Sequence, residues 1–106
     1  MQCNQMKIFI SYTLRDNILT SQDFTTILNQ LKEHDVFIHF FNSDIDSHNK
    51  IKEKILESDI LLLIKTELTF KSEWVIDELI IANRAKIPLF FTTIEDIKTF
   101  KKDADF

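Results

Sequence analysis

Residues 60–79 read ILLLIKTELTFKSEWVIDEL, and this stretch decides the fold. Ile60, Leu61, Leu62, Leu63 and Ile64 form an unbroken apolar run. A strand apolar on both faces belongs in the middle of a parallel sheet that is covered on both sides. The segment 65–71 follows as a loop. Ser72 then supplies a helix N-cap, because its hydroxyl can accept a bond from an unpaired N–H of the first turn. From there the residues run as a helix to about Ala85. Strand, loop and helix together make one unit of an alternating α/β fold.

Placed at 100° per residue, this helix puts Asp77 and Arg84 in one narrow polar sector. Glu78 falls outside it, between Trp74, Val75, Ala82 and Ala85 on an apolar face. A glutamate is almost never fully buried unless it is paired, because stripping an ionised carboxylate of water is strongly unfavourable. Two readings follow. Glu78 is a partner-satisfied glutamate at the edge of a core, or a carboxyl beside an indole whose pKa is raised for a task.

The neighbouring segments repeat the alternation. Toward the C-terminus, 87–92 (IPLFFT) reads as a strand, with Pro88 near its start where a missing N–H is tolerated. A last helix is expected from 94 to about 103, with Ile97 and Phe100 inward. Toward the N-terminus, Ile51, Ile55 and Leu56 mark a helix over about 47–57. The segment 42–49 (NSDIDSHN) is a turn-rich loop. Its Asp44, Asp46 and His48 suggest a metal site, but three polar residues in a surface loop ordinarily mean only solvent, and no metal is expected.

Residues 36–41 (VFIHFF) read as a second strand interrupted by His39, a histidine expected to be satisfied in or near the core. Phe24, Ile27, Leu28 and Leu31 recur at the spacing of one helical face. That helix is expected to end near 34–35, with Thr20 or Ser21 as its cap. Residues 7–12 (KIFISY) form the opening buried strand, and 13–21 a loop.

Strict β-α alternation implies parallel strands, right-handed crossovers and helices on both faces. The expectation is a flavodoxin-like three-layer sandwich forming a single domain over 1–106. Its parallel sheet has four strands, or five with one more, in the order 2-1-3-4. Ligands in such sheets bind beyond the carboxyl ends of strands 1 and 3. That places Ser11, Tyr12, Arg15 and Asp16 opposite Thr66, Glu67, Ser72, Trp74 and Glu78.

Composition narrows the function classes. The 106 residues suffice for one core, and 44% hydrophobic residues with ten phenylalanines argue against disorder. The net charge of −4 is spread without a basic stripe, so no nucleic-acid partner is expected. Lys98, Lys101 and Lys102 read as a solvated helix face. Cys3 is the only cysteine, which excludes an intrachain disulfide and a thiolate metal cluster. Residues 1–5 lack the apolar centre of a signal peptide, and no apolar run is long enough to span a bilayer. The expectation is a soluble, cytoplasmic protein with no membrane partner. The chain contains no glycine, so a glycine-rich phosphate loop is ruled out.

Two segments resemble a known family. Phe9-Ile10-Ser11-Tyr12, with Asp16 shortly after, resembles the opening strand of Toll/interleukin-1 receptor (TIR) domains. Ser72-Glu73-Trp74-Val75-Ile76-Asp77-Glu78-Leu79 is similar to that family's Ser-x-Trp-Cys-x-x-Glu-Leu signature, with Val75 in the cysteine's place. Ile55-Leu56-Glu57-Ser58-Asp59 before a strand also fits, and the resemblance covers about 7–92. It implies a small bacterial TIR-like protein.

Many members cleave the nicotinamide–ribose bond of NAD with the signature glutamate. Some release ADP-ribose, and others make cyclic isomers as immune signals against phage. By this resemblance Glu78 is the catalytic residue, NAD is the substrate, and no metal is needed. Ser11, Tyr12, Arg15, Asp16, Ser72 and Trp74 are the implied nucleotide contacts, with Arg15 standing in for the absent phosphate loop. Other members only assemble. The alternative is therefore a non-catalytic module that signals by self-association or partner binding, with Glu78 structural and loops 13–20 and 42–49 making contacts. Residues 42–49 lack the family's frequent Pro-Gly pair, and the resemblance does not extend to its fifth strand.

Overall fold

The apolar runs pair as four parallel strands, β1 (Lys7–Ser11), β2 (Asp35–Phe37), β3 (Ile60–Ile64) and β4 (Leu89–Thr92), in the order β2-β1-β3-β4. The helices between and after them are α1 (Ser21–Gln30), α2 (His48–Leu56), α3 (Glu73–Arg84) and α4 (Ile94–Thr99). The computed structural model of the chain describes residues 5–42 and 48–99. Among these, the fold is the α/β, flavodoxin-like arrangement with strand order 2-1-3-4.

Side-chain alternation along the strands divides the core in two. Ile8 and Ile10 of β1 join Phe24 and Ile27 of α1 and Ile94 and Ile97 of α4 on one face. Phe9 of β1 and Leu61 and Leu63 of β3 turn to the other face. There they meet Ile51 and Ile55 of α2 and Val75 and Ala82 of α3. β3, apolar throughout, lies between β1 and β4 and is covered on both sides. The position of Ser11 follows from the same alternation. Two residues beyond Phe9, it projects to the α3 side.

Helix ends are set by the expected chemistry. Thr20 caps α1 through a reciprocal box, its hydroxyl accepting from the Asp23 N–H while the Asp23 carboxylate accepts from the Thr20 N–H. Ser72 caps α3, accepting from the Val75 N–H at 3.3 Å. Beyond α3, Lys86 takes the left-handed backbone conformation, with φ of 61°. Glycine ordinarily fills that place, and this chain has none.

Four expectations need correction. The second strand is not 36–41 but Asp35–Phe37, and His39–Phe41 curl into a 3-10 turn. Packing explains the change. Phe40 stacks on Phe24 with centroids 4.8 Å apart, Phe41 meets the same ring edge-on at 6.4 Å, and the Asn42 amide donates to the Ile38 carbonyl. An extended course would carry Phe40 and Phe41 along the sheet edge and away from Phe24. Helix α1 ends at Gln30 rather than near 34–35, with turn residues following. β4 begins at Leu89, not Ile87, because the Ile87 N–H is spent on the Ala82 carbonyl. Lys98 does not merely face solvent: its ammonium lies 3.2 Å from the Asp23 carboxylate, tying α4 to the start of α1. Phe100, Lys101 and Lys102, and the expected continuation of α4 to 103, lie outside the described residues, as do Asp44 and Asp46.

Candidate functional site

Three chain segments converge beyond the carboxyl ends of β1 and β3. They bound a cleft of about 330 Å³ lined by Ile10, Tyr12, Thr13, Leu14, His39, Ser72, Trp74 and Glu78. β1 delivers Ile10, and Tyr12 follows directly at its end. The 3-10 turn after β2 delivers His39. The Ser72 cap starts α3 so that Trp74 and Glu78, four residues apart, lie on one side of its first turns.

Glu78 is the chemical centre of this arrangement. Its side chain is only 5% exposed, and its Oε1 accepts a 2.7 Å hydrogen bond from the Ser11 hydroxyl. Burial pushes its pKa up from 4.5 to about 7, and the neighbouring Asp77 charge adds to that rise. The Ser11 hydroxyl and the Trp74 indole N–H pull it part of the way back. Among the described residues, the ion pairs are Lys54–Glu57 and Lys98–Asp23, so no cation neutralises Glu78. A buried carboxyl without a cationic partner is divided between acid and carboxylate near neutrality. It can accept a proton, or set a negative charge against a cation developing in the cleft.

The aromatic wall is defined by the same turns. Trp74 is 41% exposed rather than buried in the core. The His39 ring lies nearly parallel to the indole at 6.4 Å, and the His48 ring meets it edge-on at 6.2 Å. Tyr12 packs on Phe24 with centroids 4.6 Å apart, and burial, helped by the Glu78 charge, raises its phenol to about 12. Tyr12 therefore stays a neutral donor at any ordinary pH.

Of the residues singled out in the sequence, Tyr12, Ser72, Trp74 and Glu78 line the cleft. Ser11 is fully buried behind Glu78 and orients its carboxylate. Arg15 is exposed and is not among the lining residues. Asp16 turns away: its Oδ2 accepts from the Leu68 N–H at 2.9 Å, and this bond is the chief cause of its lowered pKa. Asp16 thereby ties the loop after β1 to the loop after β3, across the point where the sheet order reverses.

Sequence reading missed four lining residues, Ile10, Thr13, Leu14 and His39. Thr13 and Leu14 lie in a loop with no periodicity to place them. His39 did carry a signal, as a polar interruption of an apolar run, but it is not satisfied in the core. Its Nε2 is buried without a hydrogen-bond partner among the described residues. Among the described residues, no group of three or more His, Cys, Asp or Glu side chains is placed to hold a metal ion. No described helix is long and apolar enough to cross a membrane. Comparison with protein-family models, curated proteins and solved structures gives no match to the chain.

Proposed function

We propose that the protein is a TIR-like domain that cleaves the nicotinamide–ribose bond of NAD or a related nucleotide. The observation that carries this reading is Glu78: a buried carboxyl, poised near neutrality, lining an open cleft with no cation against it among the described residues. The volume of about 330 Å³ is at the small end of ligand pockets. It suits a nicotinamide ring and its ribose, with the adenosine half extending over the rim. Trp74 and Tyr12 supply flat apolar surface for the ring.

The reaction needs little more. The C1′–N bond breaks, and nicotinamide leaves with the bonding pair as a neutral base. Positive charge develops on the ribose, and the Glu78 carboxylate stabilises it more strongly in a cleft than in water. Water then adds at C1′ and gives its proton to the carboxylate, releasing ADP-ribose. Attack by the substrate's own adenine would instead give a cyclic product. Ser11 holds Glu78 in place throughout, as a positioning residue. A role in bacterial immune signalling belongs to the same reading and rests on the family resemblance alone.

The test is release of free nicotinamide from NAD at high protein concentration, comparing the wild type with Glu78→Gln. A wild-type rate at least about a hundredfold above the variant supports the reading. Equal rates dismiss it. One observation favours a second reading, a non-catalytic interaction module. Among the described residues neither arginine nor lysine lines the cleft, so none of them matches the pyrophosphate of a dinucleotide. Under that reading neither protein releases nicotinamide, and Glu78→Gln leaves partner binding or self-association intact.

A further inference from the structure

The two edges of the sheet are unlike. β2 is three residues long, begins with a charged residue and ends in a 3-10 turn, all of which blunt an edge. β4 is also short, at four residues, but it has neither a charged residue nor a 3-10 turn at its end. Its residues Leu89, Phe90, Phe91 and Thr92 carry no charge, and Phe90 and Phe91 are 52% and 53% exposed. Phe70, 47% exposed, extends the patch, its ring 6.2 Å from that of Phe91.

The backbone of this edge is equally unguarded. Leu61 N–H donates to the Pro88 carbonyl and Lys65 N–H to the Thr92 carbonyl. Strand alternation then turns the polar groups of positions 88, 90 and 92 toward β3. Those of Leu89 and Phe91 turn outward, where the sheet has no further strand among the described residues. Pro88, the usual guard against edge pairing, has its missing N–H on the inner side. An uncharged edge with outward N–H and C=O groups and aromatic rings on both faces is a template for another strand.

We propose that β4 pairs antiparallel with β4 of a second copy of this chain about a two-fold axis, joining two four-stranded sheets into one. The register is set by which groups face outward. Leu89 and Phe91 of one copy exchange hydrogen bonds with Phe91 and Leu89 of the other. Phe90 then sits opposite Phe90 of the second copy, at the non-hydrogen-bonded pair where side chains approach most closely. On the α3 face, Phe91 and Phe70 close over Leu89 of the second copy.

Charge agrees with this direction. The antiparallel register brings exposed Lys86, ahead of β4, toward exposed Glu95 and Asp96 at the start of the other copy's α4, and the reverse on the other side. A parallel approach would set like ends together. Each half-exposed ring leaves roughly 100 Å² to cover, so three rings from each copy supply roughly 600 Å². With the strand ends, the total approaches the ~1,000 Å² at which specific interfaces begin. The dimer is therefore weak and reversible. It forms on the β4 side of the sheet, independently of what the cleft binds.

Sedimentation equilibrium of the whole chain up to about 500 μM is the test. The wild type should show a monomer–dimer equilibrium. Phe90→Lys, which sets two ammonium groups face to face, should weaken it at least about tenfold with an unchanged circular dichroism spectrum. In a Cys3→Ser background, Phe90→Cys should form an intermolecular disulfide faster than Lys52→Cys, at an exposed position of α2. A wild type monomeric throughout the range, a dimer indifferent to Phe90→Lys, or equal crosslinking at positions 90 and 52 would each overturn the proposal.

Discussion

Glu78→Gln should stabilise the protein at alkaline pH while removing the group assigned to chemistry. The folded carboxyl titrates near 7 instead of 4.5 because burial opposes its charge. Below the unfolded value both states hold the proton, and the carboxyl contributes no difference. As pH rises from 4.5 to 7, the unfolded chain releases its proton while the folded chain retains it, so stability falls. Above 7 the loss is complete. At about 1.4 kcal/mol per pH unit, the interval corresponds to about 3 kcal/mol.

Glutamine keeps the shape, and its carbonyl oxygen can still accept from the Ser11 hydroxyl, but it never ionises. The two proteins should therefore unfold alike at about pH 4.5 and differ by about 2–3 kcal/mol at about pH 8, glutamine being the more stable. For a chain of this size that is a melting-temperature gap on the order of 10 °C. Urea or thermal unfolding of both proteins at the two pH values is the assay. Taking the difference between the two proteins cancels every contribution they share. Parallel pH profiles for the two proteins would refute the burial argument.

Other residues give independent checks. Ser11→Ala removes the hydroxyl that favours the charged form, so the acidic limb of any pH–rate profile should move above 7, and unfolding at alkaline pH should show a loss of about 1–3 kcal/mol. Lys86→Gly relieves a left-handed lysine and should stabilise the monomer by about 1 kcal/mol, read by urea unfolding at low protein concentration. Trp74 is the only tryptophan, so its fluorescence should be quenched by nicotinamide in the wild type; an unchanged spectrum would remove it from the binding wall. Asp16→Ala should speed hydrogen exchange of the Leu68 amide without changing exchange in β3.

The sheet order was legible because three signals agreed: an all-apolar β3, a capped amphipathic α3, and alternation of elements throughout. Glu78 was legible for a related reason. Helical periodicity puts it on the face that carries Val75 and Ala82, and the switch point of the sheet lies beside that face. The end of β2 was not legible. VFIHFF satisfies strand propensity at every position, and only the tertiary demand of Phe24 for ring partners curls its last three residues. His39 reaches the cleft through that same turn. The tie made by Asp16 was not legible either, because its bond partner, the Leu68 N–H, is 52 residues away and its side chain gives no local sign of it.

The most direct test of the central claim is a carbon-detected NMR titration of the Glu78 carboxyl, with and without nicotinamide. A midpoint near 7, well above an ordinary glutamate, is expected, and it should shift when the ligand enters the cleft. A midpoint near 4.5, unmoved by ligand, would mean that the carboxyl is solvated and uninvolved, and the functional reading would fall with it.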